Sequence, residues 1–196
     1  MIPFRMIGTN LNILMNLDSF SHGQISSKIW LCEKLEPLIK EQSSVAILGC
    51  WINVLGFMLL TRRPNHYGHI HGIDIDMSAV DTANKICSYW YIECIQRSEC
   101  ADANTFNSQG YDVVINCSGE HMDSDVWFDS IAPNTLVCIQ SSNVTDPNEP
   151  WLVKNPSPTY ESFLEKYPLS VGIYSGILPI RYSDSGYDRY MTIGIK

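Results

Sequence analysis

Two short apolar runs set the frame for this chain: Val45-Ala46-Ile47-Leu48, ending in Gly49-Cys50, and Ile70-His71-Gly72-Ile73, ending in Asp74-Ile75-Asp76. Runs of this length, bounded by polar or turn-forming residues, suit strands buried on both faces of a parallel sheet. A glycine at the end of the first strand lets the backbone turn tightly beneath a ligand. An acid at the tip of the next can accept two hydrogen bonds from neighbouring sugar hydroxyls. The pair points to an α/β protein that holds a nucleoside.

The rest of the chain supplies the alternation this needs. Ile25, Ile29, Cys32, Leu35, Leu38 and Ile39 recur at helical spacing, predicting an amphipathic helix over 24–41 with a kink or break at Pro37. The apolar run Val54 to Leu60 predicts a helix stopped by Pro64, and a further helix is expected over 77–91 with Ser78 as its N-cap. Strands are expected at 45–49, 69–74, 92–98, 111–116 and 135–140, with a short helix from Asp123 to Ile131. Strands alternating with helices imply right-handed βαβ units. The tail breaks the rhythm: Leu169 to Tyr174 and Arg189 to Ile195 read as two strands with no helix between them, paired antiparallel at one edge. The proline-bearing stretch 147–158 reads as a long ordered loop, and Tyr160, Phe163, Leu164 and Tyr167 as one core-facing side of a helix.

A chain of 196 residues with 45% apolar content can bury one substantial core, so a single domain over 1–196 is expected. Within it, residues 1–41 form an N-terminal helical segment or lid and 42–196 the nucleoside-binding core. The net charge of −8 disfavours a nucleic-acid partner and leaves a small molecule as the default. No apolar stretch is long enough to span a membrane, and the N-terminus has no secretory h-region. Seven cysteines without a CxxC pair, mostly in apolar runs, are those of a reduced cytoplasmic protein. His66, His69 and His71 have the imidazoles for a metal, but their spacing crosses from loop to strand and no cysteine completes a set, so no metal is expected.

The order of elements, with its loop residues, is similar to the class I S-adenosylmethionine-dependent methyltransferase superfamily over roughly residues 40–196. The resemblance rests on Val45-Ala46-Ile47-Leu48-Gly49, on His71-Gly72-Ile73-Asp74-Ile75-Asp76, on Cys100-Ala101-Asp102-Ala103 and on Tyr111-Asp112-Val113-Val114-Ile115-Asn116. It implies a Rossmann-like, seven-stranded, mostly parallel sheet closed by a C-terminal antiparallel hairpin. S-adenosylmethionine is the cofactor implied. Its binding residues would be Gly49, Cys50, Trp51 and Asn53 in the glycine loop, Asp74 and Ile75 at the ribose, Asp102 and Ala103 by the adenine, and Asn116 and Cys117 facing the methyl. The segments Ser21-His22-Gly23-Gln24, Gly49-Cys50-Trp51, Ile115 to Met122 and Arg189 to Gly194 also resemble a small methyltransferase-like group of phages and bacteria. The departures from the superfamily are local. Its glycine loop carries two further glycines and a preceding acid, where this chain has Trp51, Asn53 and Ile47.

Asn116, Glu120 and His121 fall at or just past the end of the fourth strand, where open α/β sheets place their ligands. An imidazole titrates near neutral pH, so His121 suits a general base, with Glu120 orienting it or binding an amine and Asn116 holding substrate or cofactor. The plainer alternative has Asn116 and Ser118 capping the next helix and His121 bonded to a loop carbonyl. His22 sits where a lid would begin, or is an exposed residue after a capping Ser21. Arg181, Tyr182, Tyr187, Arg189 and Tyr190 interleave cation and aromatic near the last turn, either as a ligand grip or as a stacked surface hairpin. The leading expectation is methyl transfer to a small-molecule acceptor. Other sulfonium chemistry, a nicotinamide oxidoreductase lacking the GxGxxG fingerprint, and a non-catalytic module are the alternatives.

Overall fold

The structure is a computed structural model describing residues 18–144 and 153–196. The sheet has seven strands in the order β3-β2-β1-β4-β5-β7-β6: β1 (Ser43–Leu48), β2 (Tyr67–Asp74), β3 (Gln96–Cys100), β4 (Val113–Asn116), β5 (Leu136–Ser142), β6 (Val171–Arg181) and β7 (Gly186–Ile195). The first five run parallel, and β7 pairs antiparallel with both β5 and β6. This is the expected Rossmann-like sheet with its terminal hairpin.

β1 is the middle of the five parallel strands, and its alternating side chains feed both faces. Val45 and Ile47 pack with Trp30, Leu31 and Leu35 of α1 (His22–Leu35) and with Leu55 and Leu59 of α2 (Val54–Arg62). Ala46 and Leu48 pack on the other side with Trp127 and Phe128 of α4 (Val126–Asp129) and Phe163 of α5 (Tyr160–Lys166). Between these come β2 and α3 (Met77–Tyr89), whose Asn84 amide accepts from the Ser98 N–H at 2.8 Å and donates to its carbonyl at 2.9 Å, tying α3 to β3. Among the described residues no helix is long and apolar enough to cross a membrane.

Several boundaries differ from the sequence reading for identifiable reasons. Pro37 ends α1, and residues Glu36–Leu38 tighten into a 3₁₀ turn instead of continuing the helix to 41. The cap of α3 is Asp76, whose carboxylate accepts from the Ser78 and Ala79 N–H groups at 2.8 and 3.3 Å, so Ser78 is already helical. β3 begins at Gln96 because Ile92–Ile95 form a turn, with the Gln96 N–H bonded back to the Ile92 carbonyl at 2.8 Å. α4 is a single turn. β6 runs on through Gly176 and Pro179 to Arg181, which an edge strand tolerates because one side of its backbone needs no partner. The loop read at 147–158 lies partly outside the described residues; its described end, from 153, is bonded through the Lys154 and Asn155 N–H groups to the Glu120 carbonyl.

Phe163 is fully buried where α5 meets β7, whereas Val126 is about half exposed. Phe163→Ala is expected to cost about 3–5 kcal/mol of unfolding free energy, and Val126→Ala less than about 0.5 kcal/mol. Urea denaturation of the two variants checks the contrast.

Candidate active site

A cavity of about 720 Å³ opens at the C-terminal edge of the parallel strands, where the loops after β1, β2, β3 and β4 converge beneath the start of α1. Its floor is the loop after β1, and there the departures from the superfamily pattern acquire a structural explanation. Gly49, Trp51 and Asn53 all have left-handed backbones, with φ of +63°, +51° and +55°. The chain keeps an alternating left-handed path while placing side chains on two of its three turns. Gly49 has no such latitude: a Cβ there would lie 2.6 Å from the Cβ of Ser118, whose hydroxyl donates to the Gly49 carbonyl at 2.9 Å.

The left-handed turn at Trp51 points its N–H at Asp74, 2.6 Å from one carboxylate oxygen, while the Asp76 N–H reaches the other at 3.0 Å. A carboxylate offers about four acceptor positions. Two are used in fixing Asp74, which leaves two on a residue that lines the cavity. A left-handed bulky residue costs about 1–3 kcal/mol and is held only where the surroundings over-determine it. At Trp51 those surroundings are this bond and the packing of the indole against Ile52, Val54 and Ala79. Asn53 tolerates the conformation better. Only 1% exposed, it turns away from the cavity: its side-chain oxygen accepts from the Gly56 N–H at 3.2 Å, capping α2, and its nitrogen donates to the Ser98 hydroxyl at 3.2 Å. It occupies the space left by Gly72, where a Cβ would stand 2.5 Å from its amide nitrogen. The sequence reading of Asn53 as a cofactor contact thus gives way to a structural role.

Gly49, Cys50, Trp51, Asp74, Ile75, Asp102, Ala103 and Cys117 all line the cavity, as does His121. Ile75 presents an exposed apolar side chain beside Asp74, and Asp102 spends one oxygen on the Asn104 N–H at 2.9 Å, leaving the other to accept. Burial pushes the Cys50 thiol well up, and that of Cys117 up to about 11, so neither is a ready nucleophile. Asn116 and Glu120 are not among the lining residues. Asn116 is fully buried and accepts from the Ser118 N–H at 2.9 Å, shaping its own loop. Glu120, 3% exposed, forms an ion pair with Arg189 at 2.7 Å and accepts from the Ser142 hydroxyl at 3.3 Å. Arg189 is itself 5% exposed, so it belongs to this internal pair and not to a surface hairpin. Of the three residues read as chemical candidates, His121 alone faces the cavity.

His22 is exposed, edge-on to the Tyr182 ring at 6.0 Å, and does not line the cavity. Ser19, Gln24 and Lys28 do; Ser19 and Lys28 were not singled out from the sequence, and Gln24 only as part of the Ser21–Gln24 segment. Gln24 and Lys28 are one helical turn apart, which was the available signal that they share a face. Of the three strand-and-loop histidines, His66 goes to the Ile39 carbonyl at 3.0 Å, while His71 bonds the Tyr111 hydroxyl at 2.6 Å and His69 stands against the same ring.

Removing Arg189 leaves Glu120 charged in a dry interior. Arg189→Met is expected to cost about 3–5 kcal/mol, and the Arg189→Met, Glu120→Gln double variant distinctly less. Chemical denaturation of the single and double variants measures the difference.

No protein-family model matches the chain, and no curated protein matches it by sequence. Its fold is similar to solved structures. MccD protein superposes with a TM-score of 0.69 at 14% identity, over 89% of this chain and 97% of that one. N-methyltransferase NodS from Bradyrhizobium japonicum, in complex with S-adenosyl-l-homocysteine, gives 0.68 at 11% identity over 95% and 93%. Geranyl diphosphate methyltransferase, in complex with GPP and sinefungin, gives 0.68 at 11% identity over 88% and 77%. Strand order, terminal hairpin and these likenesses together show that the chain has the class I S-adenosylmethionine-dependent methyltransferase fold.

Proposed function

We propose that this protein binds S-adenosylmethionine and transfers its methyl group to a small molecule. The observation that carries the reading is Asp74: a carboxylate at the tip of β2, fixed by two backbone N–H groups, with two acceptor positions left on a residue that lines the cavity. Those acceptors fit the vicinal hydroxyls of a ribose, which would donate to them. Ile75 offers an apolar face for a base, and Asp102 has a free oxygen to accept from an exocyclic amine. Gly49 and Trp51 form the floor along which the rest of such a ligand would lie. The cofactor, when bound, supplies an electrophilic methyl carbon on sulfur.

What the chain's own residues do follows from where they stand. Displacement at a methyl carbon needs alignment of donor and acceptor above all else. The Gly49–Ser118 crossing supplies a fixed wall for that alignment, and the buried Glu120–Arg189 pair braces it from behind. His121, exposed on the cavity lining, is placed to take a proton from an acceptor hydroxyl or amine. Glu120 acts by holding the loop that carries His121, not by touching substrate.

Isothermal titration calorimetry with S-adenosylmethionine and S-adenosylhomocysteine is expected to show binding of both, and no heat with either at millimolar concentration would overturn the reading. Asp74→Ala is expected to weaken binding by about 1.5–3 kcal/mol through lost charge-assisted hydrogen bonds. Product analysis then separates the chemistries: S-adenosylhomocysteine accompanies methyl transfer, and methylthioadenosine accompanies cleavage or transfer of the aminocarboxypropyl arm.

A further inference from the structure

The wall of the cavity formed by α1 and the turn before it holds three hydrogen-bond donors that nothing described so far uses. The Lys28 ammonium donates to the Gln24 side-chain oxygen at 2.6 Å and, among the described residues, forms no ion pair. That bond occupies the Gln24 oxygen and leaves its amide N–H groups free to donate. Ser19 is 2% exposed, and its hydroxyl has no partner among the described residues, although the residue lines the same cavity. A buried hydroxyl left without a partner costs about 1–3 kcal/mol. The Lys28 ammonium on the same lining, which forms no ion pair among the described residues, points the same way, to an anion that arrives with a ligand.

We propose that Ser19, Gln24 and Lys28 form a subsite for a carboxylate carried by the methyl acceptor. The proposal rests on the methyltransferase reading above and names the acceptor's class. A single cation with two neutral donors matches a monoanion; a phosphate dianion would call for more positive charge. Asp18, on the same lining, adds a negative group that further disfavours a dianion.

The position of the subsite separates it from the nucleoside. α1 is moored over β5, where the Gln140 amide donates to the Ser27 carbonyl at 3.0 Å. Lys28 stands within the electrostatic reach of Cys117, after β4, and of Arg189, on β7. Asp74 ends β2, two strands from β4, which at about 4.8 Å per strand is about 10 Å away. A nucleoside held at Asp74 therefore lies on one half of the sheet edge, and the Lys28 group on the other.

The titratable and charged groups that face Lys28 are Cys117, Arg189, Asp18 and Cys32, of which the two thiols are neutral near pH 8, and burial pushes its ammonium down to about 8. An arriving carboxylate favours the charged form and raises that value again. Carboxylate affinity is accordingly full below pH 8 and falls as the pH rises through it.

The test combines Lys28→Met and Lys28→Arg with two kinds of ligand. In calorimetry, S-adenosylhomocysteine and methylthioadenosine are expected to bind the wild type and Lys28→Met within about twofold of each other. Acetate and benzoate, titrated into the protein saturated with S-adenosylhomocysteine, are expected to bind the wild type, to lose tenfold or more in Lys28→Met, and to persist in Lys28→Arg. A tenfold loss for S-adenosylhomocysteine with methylthioadenosine unchanged would overturn the proposal by assigning the subsite to the cofactor's own carboxylate. Equal monocarboxylate binding in wild type and Lys28→Met, or none in either, would overturn it outright. If neither nucleoside binds, the methyltransferase reading fails separately. The subsite is then read in the ligand-free protein from the ¹³Cε resonance of Lys28: benzoate is expected to raise its titration midpoint, and an unmoved midpoint refutes the site.

Discussion

The 2.6 Å hydrogen bond from the Trp51 amide to the Asp74 carboxylate joins the loop after β1 to the tip of β2. Other features of the site follow from it. The bond requires the left-handed turn at Trp51, and that turn sets the path on which Asn53 arrives at the start of α2 as its cap. It also removes the rotational freedom of Asp74, so its oxygens are fixed before any ligand arrives. Pre-organisation of this kind lowers the ordering cost of binding.

A second layer of polar contacts lies behind the cavity wall. The Glu120–Arg189 pair ties the loop after β4 to β7, while the Glu120 carbonyl takes the N–H groups of Lys154 and Asn155 and its side chain takes the Ser142 hydroxyl of β5. One residue thus gathers four separate segments. Being buried, the pair contributes little net stability compared with apolar packing of the same volume. Its effect is geometric, because a charged pair with fixed partners permits fewer arrangements than a greasy contact does.

The parts of the fold that could be read from the sequence are those whose signal is local. β1, β4 and β5 carry the apolar runs Val45–Leu48, Val113–Ile115 and Leu136–Ile139, β2 is marked by Ile70 and Ile73 ahead of its terminal acid, and Pro37 marks the end of α1 within the residues that carry it. β3 was misplaced because Gln96-Arg97-Ser98-Glu99-Cys100 is a polar segment made a strand by its pairing with β2. In the site, Asp74 and Gly49 were legible because strand-end chemistry is encoded beside the strand. Glu120 was not, because the residue that determines its role lies 69 positions away. Asn53 was read by its place in a loop, when its side chain answers to Ser98 and Gly56.

Gly72 carries a consequence for how this loop could have changed. A Cβ on it would meet the Asn53 amide nitrogen at 2.5 Å and the Cys50 sulfur and Ser98 hydroxyl at 2.7 Å, so the strand supplies the space that the Asn53 side chain fills. The loop and the strand are therefore not independent in sequence space. Placing glycine at position 53 alone would open a void beside Gly72 and strip the Gly56 N–H and the Ser98 hydroxyl of their partner; enlarging position 72 alone would expel Asn53. Any exchange of Asn53 for glycine must therefore be matched by a change at position 72, so the two positions can change together but not one at a time.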